Sequence, residues 1–356
     1  MIDSIVQKAA SQFGIGEPSV ESFGNGLINH SFKVTFKDGT TLLLQCINQS
    51  TFSQPENIIH NYRLISEELT ARGSHTVPPL APTRKGKFFW VDENENFWRA
   101  TRFIENSYAD NIAASAQKVY LAAKCFAEFS ASLNMLDPDK LEIIIPGFHD
   151  LNHRYDQFEQ AIKGAGINRL LKATHVISSL RERYDLVLFY REVITQPEDY
   201  PVRIMHHDCK ISNILFDQNT HQVICPVDLD TVMPGHFYSD IGDMVRTMAC
   251  SREENNTEWE NIDIVPEYYD AIIDGYVDGS RDTLTRTERE HLHFGGRMLI
   301  YMQCLRFVTD FLNNDIYYKT SYAEQNLNRA LNQLILLERL EDFLEQRGTK
   351  AGADKF

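Results

Sequence analysis

Aspartate, asparagine and histidine side chains are concentrated in one stretch near the middle of the chain. Asp208 and Asn213 follow a short apolar run that leads into His206, and a second apolar run leads to Asp228. Carboxylate and amide oxygens are the hard ligands that Mg²⁺ prefers, and a further carboxylate can orient a hydroxyl group and accept its proton. This set predicts phosphoryl transfer to an alcohol, with Asp208 as the base and Asn213 and Asp228 as metal ligands.

The same residues also have a plain structural explanation, because an aspartate at the end of a strand often caps a turn. Their context favours chemistry. Asn213 begins one strand of a predicted hairpin, and Asp228 follows the returning strand across the turn at 217–221. The two side chains are therefore expected close together at the mouth of one hairpin.

A metal-dependent hydrolase is the alternative from another enzyme class. Histidine and aspartate side chains can form a transition-metal cluster, and the candidate ligands are His206, His207, Asp208, Asp228, Asp230 and His236. A tightly bound transition metal would indicate hydrolysis, whereas loosely bound Mg²⁺ would indicate phosphoryl transfer.

The first hundred residues are predicted to form a small antiparallel sheet with helices. The strand-forming runs are at 31–36, 41–47, 88–91 and 97–103. The Asp38-Gly39 turn between the first two is typical of a hairpin. Apolar residues at helical spacing predict helices over 2–13 and 58–69.

After residue 105 the pattern is mostly helical. Apolar residues recur at helical spacing in the segments 116–135, 152–163, 167–194, 266–277, 286–312 and 322–346. Short strands interrupt them at 202–205, 213–216 and 223–227. We therefore predict an α+β fold with two lobes, a β-rich N-terminal domain over 1–103 and a mostly helical domain over 104–356.

Composition limits the classes of partner. The chain has 356 residues, enough for two domains at about 150 residues each, and 50 acidic against 35 basic side chains give a net charge of −15. This charge repels nucleic-acid backbones, so nucleic acid is not expected as a partner. A neutral or cationic small molecule is compatible with the charge, whereas an anionic substrate would need a local positive site.

The six cysteines are scattered, which is typical of reduced thiols and not of a disulfide framework. The first residues lack the apolar core of a signal peptide, and no apolar run approaches the roughly 20 residues of a membrane span. We expect a soluble cytoplasmic protein without a membrane partner, as a monomer or weak homodimer.

The central residues resemble the catalytic loop and metal-binding strand of the aminoglycoside phosphotransferase and choline kinase superfamily, small-molecule relatives of protein kinases. The superfamily pattern H-x-D-x₄-N matches His206, Asp208 and Asn213, and its I-D-x-D pattern is similar to Val227-Asp228-Leu229-Asp230. The resemblance implies a protein-kinase-like fold and a kinase that uses ATP and Mg²⁺ to phosphorylate a small alcohol.

Within that superfamily, the chain looks most like the N-acetylhexosamine 1-kinases, from about residue 20 to residue 340. The matching blocks are at 24–29, 148–154, 228–235, 240–246, 305–307 and 315–317. The resemblance implies that the anomeric hydroxyl of a hexose or N-acetylhexosamine is phosphorylated to the sugar 1-phosphate. Another alcohol is the alternative, of the aminoglycoside, choline or ethanolamine, homoserine or methylthioribose type.

The family match also implies contacts with the nucleotide. Gly24 and Gly26 precede a predicted strand and would let the backbone approach the phosphates; a simple hairpin turn is the alternative. Phe103 and Ile104, at the end of the last strand of the N-terminal domain, would present backbone groups to adenine.

The resemblance also implies that three residues bind the substrate: Arg306, Asp230 and Tyr317. Arg306 lies in a mostly apolar helical segment, where its guanidinium could bind sugar oxygens or phosphate, or pair internally with Asp310 or Asp315.

Supporting roles are expected for His206 in the catalytic loop, and for Asp240 and Asp243. Together with Arg246, these two aspartates are expected to form an ionic lock under the metal-binding loop.

One position departs from the wider superfamily. The strand over 42–47 carries Gln45 where related kinases place a lysine or arginine that grips the nucleotide phosphates. Without that positive side chain, Mg²⁺ would have to neutralise more of the phosphate charge. A catalytically silent pseudokinase is therefore a further alternative. Lys210 could assist, although a solvated loop lysine is the simpler interpretation.

Overall fold

The computed structural model describes residues 4–24, 28–73 and 77–348. Its N-terminal part is built on a five-stranded antiparallel sheet with strand order β1-β2-β3-β5-β4. The elements are α1 (Ser4–Ala10), β1 (Ser19–Ser22), β2 (His30–Thr35), β3 (Thr41–Ile47), α2 (Pro55–Ala71), β4 (Trp90–Val91) and β5 (Phe97–Arg102).

The predicted β2–β3 hairpin is confirmed, and the predicted strand runs at 88–91 and 97–103 correspond to β4 and β5, which pair antiparallel. In the β2–β3 turn, Gly39 has a φ of +85°, which a glycine adopts without a steric penalty. The Thr40 N–H donates to Asp38 Oδ1 over 2.9 Å and closes the turn. One face of the sheet packs with α1 in a core that includes Val34, Leu44, Trp98 and Ala100, and this core fixes the register between β3 and β5.

Five shorter strands follow. They are β6 (Ser107–Tyr108), β7 (Arg203–Met205), β8 (Ile214–Asp217), β9 (Val223–Pro226) and β10 (Met233–Gly235). They form a β6-β8-β9 sheet and a β7-β10 pair. The β8–β9 hairpin is confirmed, with Ile214 opposite Pro226. Strands β6 and β10 were not predicted, because segments of two or three residues are too short to show an alternation of apolar and polar side chains.

The remaining elements are helices. They are α3 (Ala116–Ser132), α4 (Leu151–Gly164), α5 (Ile167–Glu182), α6 (Asp185–Thr195), α7 (Tyr238–Met248), α8 (Pro266–Ser280), α9 (Arg286–Glu290), α10 (Leu292–Leu312) and α11 (Gln325–Gln346).

The structure corrects two helix predictions. The segment 167–194 forms two helices separated by residues 183–184, and the segment 286–312 is interrupted at His291. Apolar spacing continues across both breaks, so it does not reveal them. The short helix before the second break begins with a capping box at Thr285, a local arrangement that defines a separate helix start.

Helix α7 was not among the predicted helices. Most of its residues are buried, including polar and small ones such as Asp240, Gly242 and Asp243. A side chain on Gly242 would collide with the carbonyl oxygen of Gly295 in α10. The absence of side chains therefore lets α7 and α10 lie in close contact, and both helices carry candidate site residues.

The chain forms two compact units. One comprises Met1–Ala109, Met135–Ile145 and Ile214–Met233, and the other comprises Asp110–Asn134, Pro146–Asn213 and Pro234–Phe356. These units interleave along the chain, whereas the predicted domains are contiguous, so the boundary at residue 103 remains a prediction. No helix within the described residues has the length and apolar character needed to cross a membrane.

Candidate active site

The loop that carries Asp208 is fixed by a buried aspartate from α7. The N–H groups of His206 and His207 donate to the two carboxylate oxygens of Asp240 over 3.0 and 2.8 Å. Asp240 is fully buried, and this burial raises its pKa. His207 has a φ of +64°, a conformation that non-glycine residues keep only where the surroundings enforce it. Asp240 supplies that constraint one residue before Asp208.

Asp208 and Asn213 are brought together as the sequence predicts. Asn213 Nδ2 donates to the carbonyl oxygen of Asp208 over 2.8 Å and to Asp208 Oδ2 over 3.0 Å. Lys210 Nζ lies 3.0 Å from Asp208 Oδ1, so this lysine is an ion-pair partner and not simply a solvated loop residue. The carboxylate is held in one orientation, and its side chain remains 23% exposed.

His206 supports the loop from inside the protein. It is fully buried, and its ring meets the rings of Phe126 and Phe129 edge-on at centroid distances of 5.0 and 6.0 Å. The Asp208 N–H points at His206 Nδ1 over 3.4 Å. His206 therefore packs beneath the loop and leaves Asp208 as its outward-facing acid.

The expected ionic lock forms between Asp243 and Arg246, but Asp240 is not part of it. Arg246 donates through Nε and Nη2 to Asp243 Oδ1 over 3.0 and 2.8 Å, and through Nη1 to Glu254 over 3.2 Å. Burial raises the pKa of Asp243, an effect that Arg246 opposes and the charge of Asp208 reinforces. Asp243 and Arg246 thus form the ion pair, while Asp240 binds the loop backbone.

Asp228 and Asp230 lie in different environments although only one residue separates them. Asp228 is exposed and has a φ of +61°, directly before the short 3₁₀ turn Leu229–Thr231. Asp230 is 2% exposed and forms an ion pair with Arg99. Its second oxygen accepts from Asn29 Nδ2 over 2.7 Å. The substrate role of Asp230 remains a prediction, and in the structure both of its oxygens have protein partners.

Arg306 lies on α10 between two aromatic side chains. Its guanidinium carbon is 5.4 Å from the ring centroid of Phe148 and 5.6 Å from that of Tyr318, and Nη1 donates to Gln303 over 3.0 Å. No carboxylate in the described part of the chain forms an ion pair with Arg306. The internal pairing that we considered as an alternative is therefore not observed.

The two aspartates considered as internal partners are occupied elsewhere. Asp310 accepts from the N–H groups of Tyr317 and Tyr318 over 2.8 and 2.9 Å, and Asp315 pairs with Arg169 over 2.8 Å. Tyr317 itself is 64% exposed. Asp310 thus fixes the loop that carries Tyr317 after α10.

The sequence analysis did not identify Arg154 and His149 as site residues. Arg154 donates to the Phe148 carbonyl through Nε and Nη2 over 3.3 and 3.2 Å. Burial and the nearby charge of Arg306 lower the pKa of Arg154 to about 10. The His149 ring stacks on Phe148 at 4.4 Å. The family match over 148–154 was the only sequence signal, because the grouping depends on tertiary contacts.

His149 is held as a neutral ring in this positive environment. Its Nδ1 lies 2.6 Å from Ser239 Oγ. Burial lowers its pKa well below the usual value, and the charges of His207 and Arg306 act in the same direction. Arg154 and Arg306 have no ion-pair partner among the described residues, so this part of an acidic protein contains two guanidinium groups whose charges act on each other.

The residues predicted to contact the nucleotide lie in the N-terminal unit. Gly24 has a φ of +73° in the connection between β1 and β2, whereas Gly26 lies outside the described residues. The Phe103 N–H donates to the Thr41 carbonyl over 3.1 Å, and Ser107 Oγ donates to the Ile104 carbonyl over 2.6 Å.

The hydrolase alternative requires a cluster of metal ligands. Among the residues that the structure describes, no group of three or more histidine, cysteine, aspartate and glutamate side chains is arranged to hold a metal ion. The described residues therefore do not supply the ligand cluster on which that alternative depends.

Comparison with known proteins identifies a matching family model and similar solved structures. A model of the phosphotransferase enzyme family, APH, matches residues 19–287. The solved structure of a microcompartment-associated aminopropanol kinase is similar with 18% identity and a TM-score of 0.64, over 98% of this chain and 99% of that chain.

Two further solved structures show the same fold. An aminoglycoside phosphotransferase from Alicyclobacillus acidocaldarius has 13% identity and a TM-score of 0.63, over 100% of this chain and 98% of that chain. Amicoumacin kinase in complex with AMP-PNP and Ca²⁺ has 12% identity and a TM-score of 0.58, over 98% and 94%. These similarities confirm the predicted protein-kinase-like α+β fold.

Proposed function

We propose a function from the premise that the chain belongs to the phosphotransferase enzyme family: it is an ATP- and Mg²⁺-dependent kinase that phosphorylates the anomeric hydroxyl of a hexose or N-acetylhexosamine. The observation that carries the phosphoryl-transfer part is the Asp208–Asn213 pair, oriented by Lys210 and held on a loop that Asp240 fixes.

The donor set fits a hard divalent cation. The amide nitrogen of Asn213 donates to Asp208, so the amide oxygen is the atom that can face a cation. Asp228 contributes an exposed carboxylate after β9. Two oxygen ligands completed by water and phosphate oxygens are typical of Mg²⁺ in kinases. Bound there, Mg²⁺ would neutralise charge on the phosphate oxygens.

In this mechanism Asp208 orients the acceptor hydroxyl and takes its proton as the new oxygen–phosphorus bond forms. Lys210 and Asn213 hold the carboxylate so that one oxygen can face the hydroxyl. The anomeric hydroxyl is the most acidic hydroxyl of a sugar, which suits a carboxylate base.

Adenine recognition is proposed for the segment after β5. The Phe103 N–H and the Ile104 carbonyl already have protein partners. The groups available for adenine would therefore be the Phe103 carbonyl and the Ile104 N–H. Gly24, with its positive φ, would lie in the loop that covers the phosphates.

The charge around Arg306 favours a sugar over a cationic acceptor. Arg154 and Arg306 are close enough for their charges to interact, and His149 beside them is neutral. An ammonium group placed here would face two guanidinium groups, whereas sugar hydroxyl and amide oxygens can accept from them. This argues for a neutral polyol over choline-type or aminoglycoside-type substrates.

The direct test is an ATP-consumption screen followed by analysis of the product. The screen compares hexoses and N-acetylhexosamines with amino alcohols, homoserine, methylthioribose and aminoglycosides. Phosphorus–carbon couplings in the NMR spectrum should place the new phosphate on C1. A product phosphorylated at C6 would exclude phosphorylation of the anomeric hydroxyl but would still show a sugar kinase. Turnover of amino alcohols alone would exclude a sugar as the substrate.

Arg306→Lys should raise the sugar KM much more than the ATP KM. Lysine keeps the charge but loses the planar fork. Loss of one charge-assisted hydrogen bond corresponds to about 1.5–3 kcal/mol, or roughly ten- to a hundredfold in KM. Arg286→Lys is the matched control, because that side chain is 91% exposed and pairs with Glu290 at the surface. An unchanged sugar KM in Arg306→Lys would exclude contact with the substrate.

Arg154→Gln should reduce the discrimination against a protonated amine. For wild-type protein we expect kcat/KM for glucosamine to be below that for N-acetylglucosamine by about thirtyfold, since two like charges ~8 Å apart at an effective dielectric constant of 20 repel by about 2 kcal/mol. The ratio of kcat/KM for N-acetylglucosamine to kcat/KM for glucosamine should decrease in Arg154→Gln. It should also decrease in wild type as the pH rises above the pKa of the glucosamine amine. A ratio that is the same in both proteins would mean that Arg154 does not face the acceptor.

A further inference from the structure

A buried arginine connects the main sheet to the loop that carries Asp228. Arg99 lies on β5 opposite Gln45 of β3 and is 2% exposed. Its Nε and Nη2 donate to Gln45 Oε1 over 3.1 and 2.8 Å. Its third nitrogen, Nη1, forms the ion pair with Asp230. All three nitrogens of the guanidinium therefore contact protein groups.

Arg99 remains a cation in this position. Burial lowers its pKa, but the charge of Asp230 and the contact with that carboxylate act in the opposite direction, and the net shift is upward. The charge of Asp228 adds in the same direction, which indicates that this second carboxylate lies within electrostatic reach of the guanidinium.

The turn around Asp228 is held at two points beyond the strained residue. Asp230 is bound by Arg99 and by Asn29, whose own Oδ1 accepts from the Asn48 N–H over 3.0 Å. Two residues further on, the Val232 carbonyl accepts from Asn61 Nδ2 of α2 over 3.0 Å. A left-handed φ at a non-glycine residue persists only where surrounding contacts enforce it, and these contacts act on the turn that follows Asp228.

We propose that Arg99 is a positioning residue for the metal site: by fixing Asp230 it holds Asp228 in the conformation in which its exposed carboxylate binds Mg²⁺. The inference rests on the proposed function, since that function gives Asp228 its metal role. It assigns to Asp230 an internal structural contact, and it gives Arg99 a functional effect although its side chain is shielded from solvent.

The variant that tests this is Arg99→Lys. Lysine keeps the positive charge, so the electrostatic effect on Mg²⁺ is largely retained, but one ammonium group cannot reproduce the fork that contacts both Gln45 and Asp230. The matched control is Arg203→Lys in the other compact unit. Arg203 is also a buried arginine, and it donates to both carboxylate oxygens of Glu288 over 3.0 and 2.7 Å.

Binding of AMP-PNP is measured by calorimetry across a range of Mg²⁺ concentrations, together with the melting temperature. Both variants should melt at a lower temperature than wild type. The Mg²⁺ concentration at which nucleotide affinity is half-maximal should rise by about tenfold in Arg99→Lys, as for the loss of one charge-assisted hydrogen bond. It should not rise in Arg203→Lys. High Mg²⁺ should restore nucleotide binding in that variant.

An Arg99→Lys protein with the Mg²⁺ requirement of Arg203→Lys would overturn the inference and leave the kinase proposal intact. Wild-type protein that binds AMP-PNP without any dependence on Mg²⁺ would overturn the metal site and, with it, the role of Arg99. Should Arg99→Lys fail to fold, Asn29→Ala replaces it, because this change removes the other contact with Asp230 and keeps the ion pair. The Mg²⁺ requirement should then rise by about tenfold, because Asn29 donates to an ionised carboxylate, and an unchanged requirement would overturn the inference.

Discussion

Replacing Asp208 with asparagine is expected to lower kcat by about 10²–10⁴-fold, the usual contribution of a general base. The affinity for ATP should remain nearly unchanged. Asparagine has almost the same size and can still accept from Asn213 Nδ2, so the loop held by Asp240 should keep its conformation. The measurement is steady-state kinetics with the best acceptor, combined with calorimetric titration of the nucleotide.

Two comparisons isolate the role of the Asp208 carboxylate. Asp38→Asn, in the exposed turn between β2 and β3, removes one negative charge at a position distant in sequence from Asp208 and should retain wild-type kcat. Lys210→Met removes the ion-pair partner of Asp208 but leaves the carboxylate, so its kcat should lie between those of wild type and Asp208→Asn. An Asp208→Asn enzyme with more than about a tenth of the wild-type kcat would exclude general-base catalysis by this residue.

The local part of the candidate site could be predicted from sequence because spacing alone brings its members together. Asp208 and Asn213 are five residues apart on one loop, and their hydrogen bond follows from that short connection. The β8–β9 hairpin is predictable for the same reason. Each feature depends on neighbouring residues and on turn chemistry that the sequence displays directly.

The contacts that fix the site could not be predicted, because they join distant segments. Asp240 binds the backbone N–H groups of His206 and His207 across sequence separations of 34 and 33 residues. Arg99 reaches Asp230 only because β5 pairs with β3 in one register and because the turn after β9 directs Asp230 inward. Neither partner is identifiable until the tertiary structure is known.

The same limit explains why Asp228 and Asp230 look equivalent in sequence. Both belong to one D-L-D motif, yet one is exposed and the other is 2% exposed. The difference comes from the left-handed φ of Asp228 and from the 3₁₀ turn that follows. A motif records residue types but not backbone conformation, and here the conformation separates a candidate ligand from an internal ion-pair partner.

Asp228→Ala should abolish turnover and weaken binding of the Mg²⁺–nucleotide complex. If its carboxylate holds the cation, its loss removes several kcal/mol of charge stabilisation in the transition state, so kcat should decrease by about 10³-fold or more. Nucleotide affinity should depend more steeply on Mg²⁺ than in wild type, and calorimetric titration at several Mg²⁺ concentrations measures that dependence.

Backbone strain must be separated from ligand loss, because alanine at a φ of +61° is itself unfavourable. Asp228→Asn is the matched variant, since asparagine tolerates the left-handed region and keeps one oxygen ligand without the charge. It should fold as well as wild type and retain weak activity that increases with Mg²⁺, whereas Asp228→Gly, which accommodates the φ but offers no ligand, should be as inactive as Asp228→Ala. Activity in the glycine variant close to that of the asparagine variant would show that only the backbone conformation matters at this position, and it would remove Asp228 from the metal site.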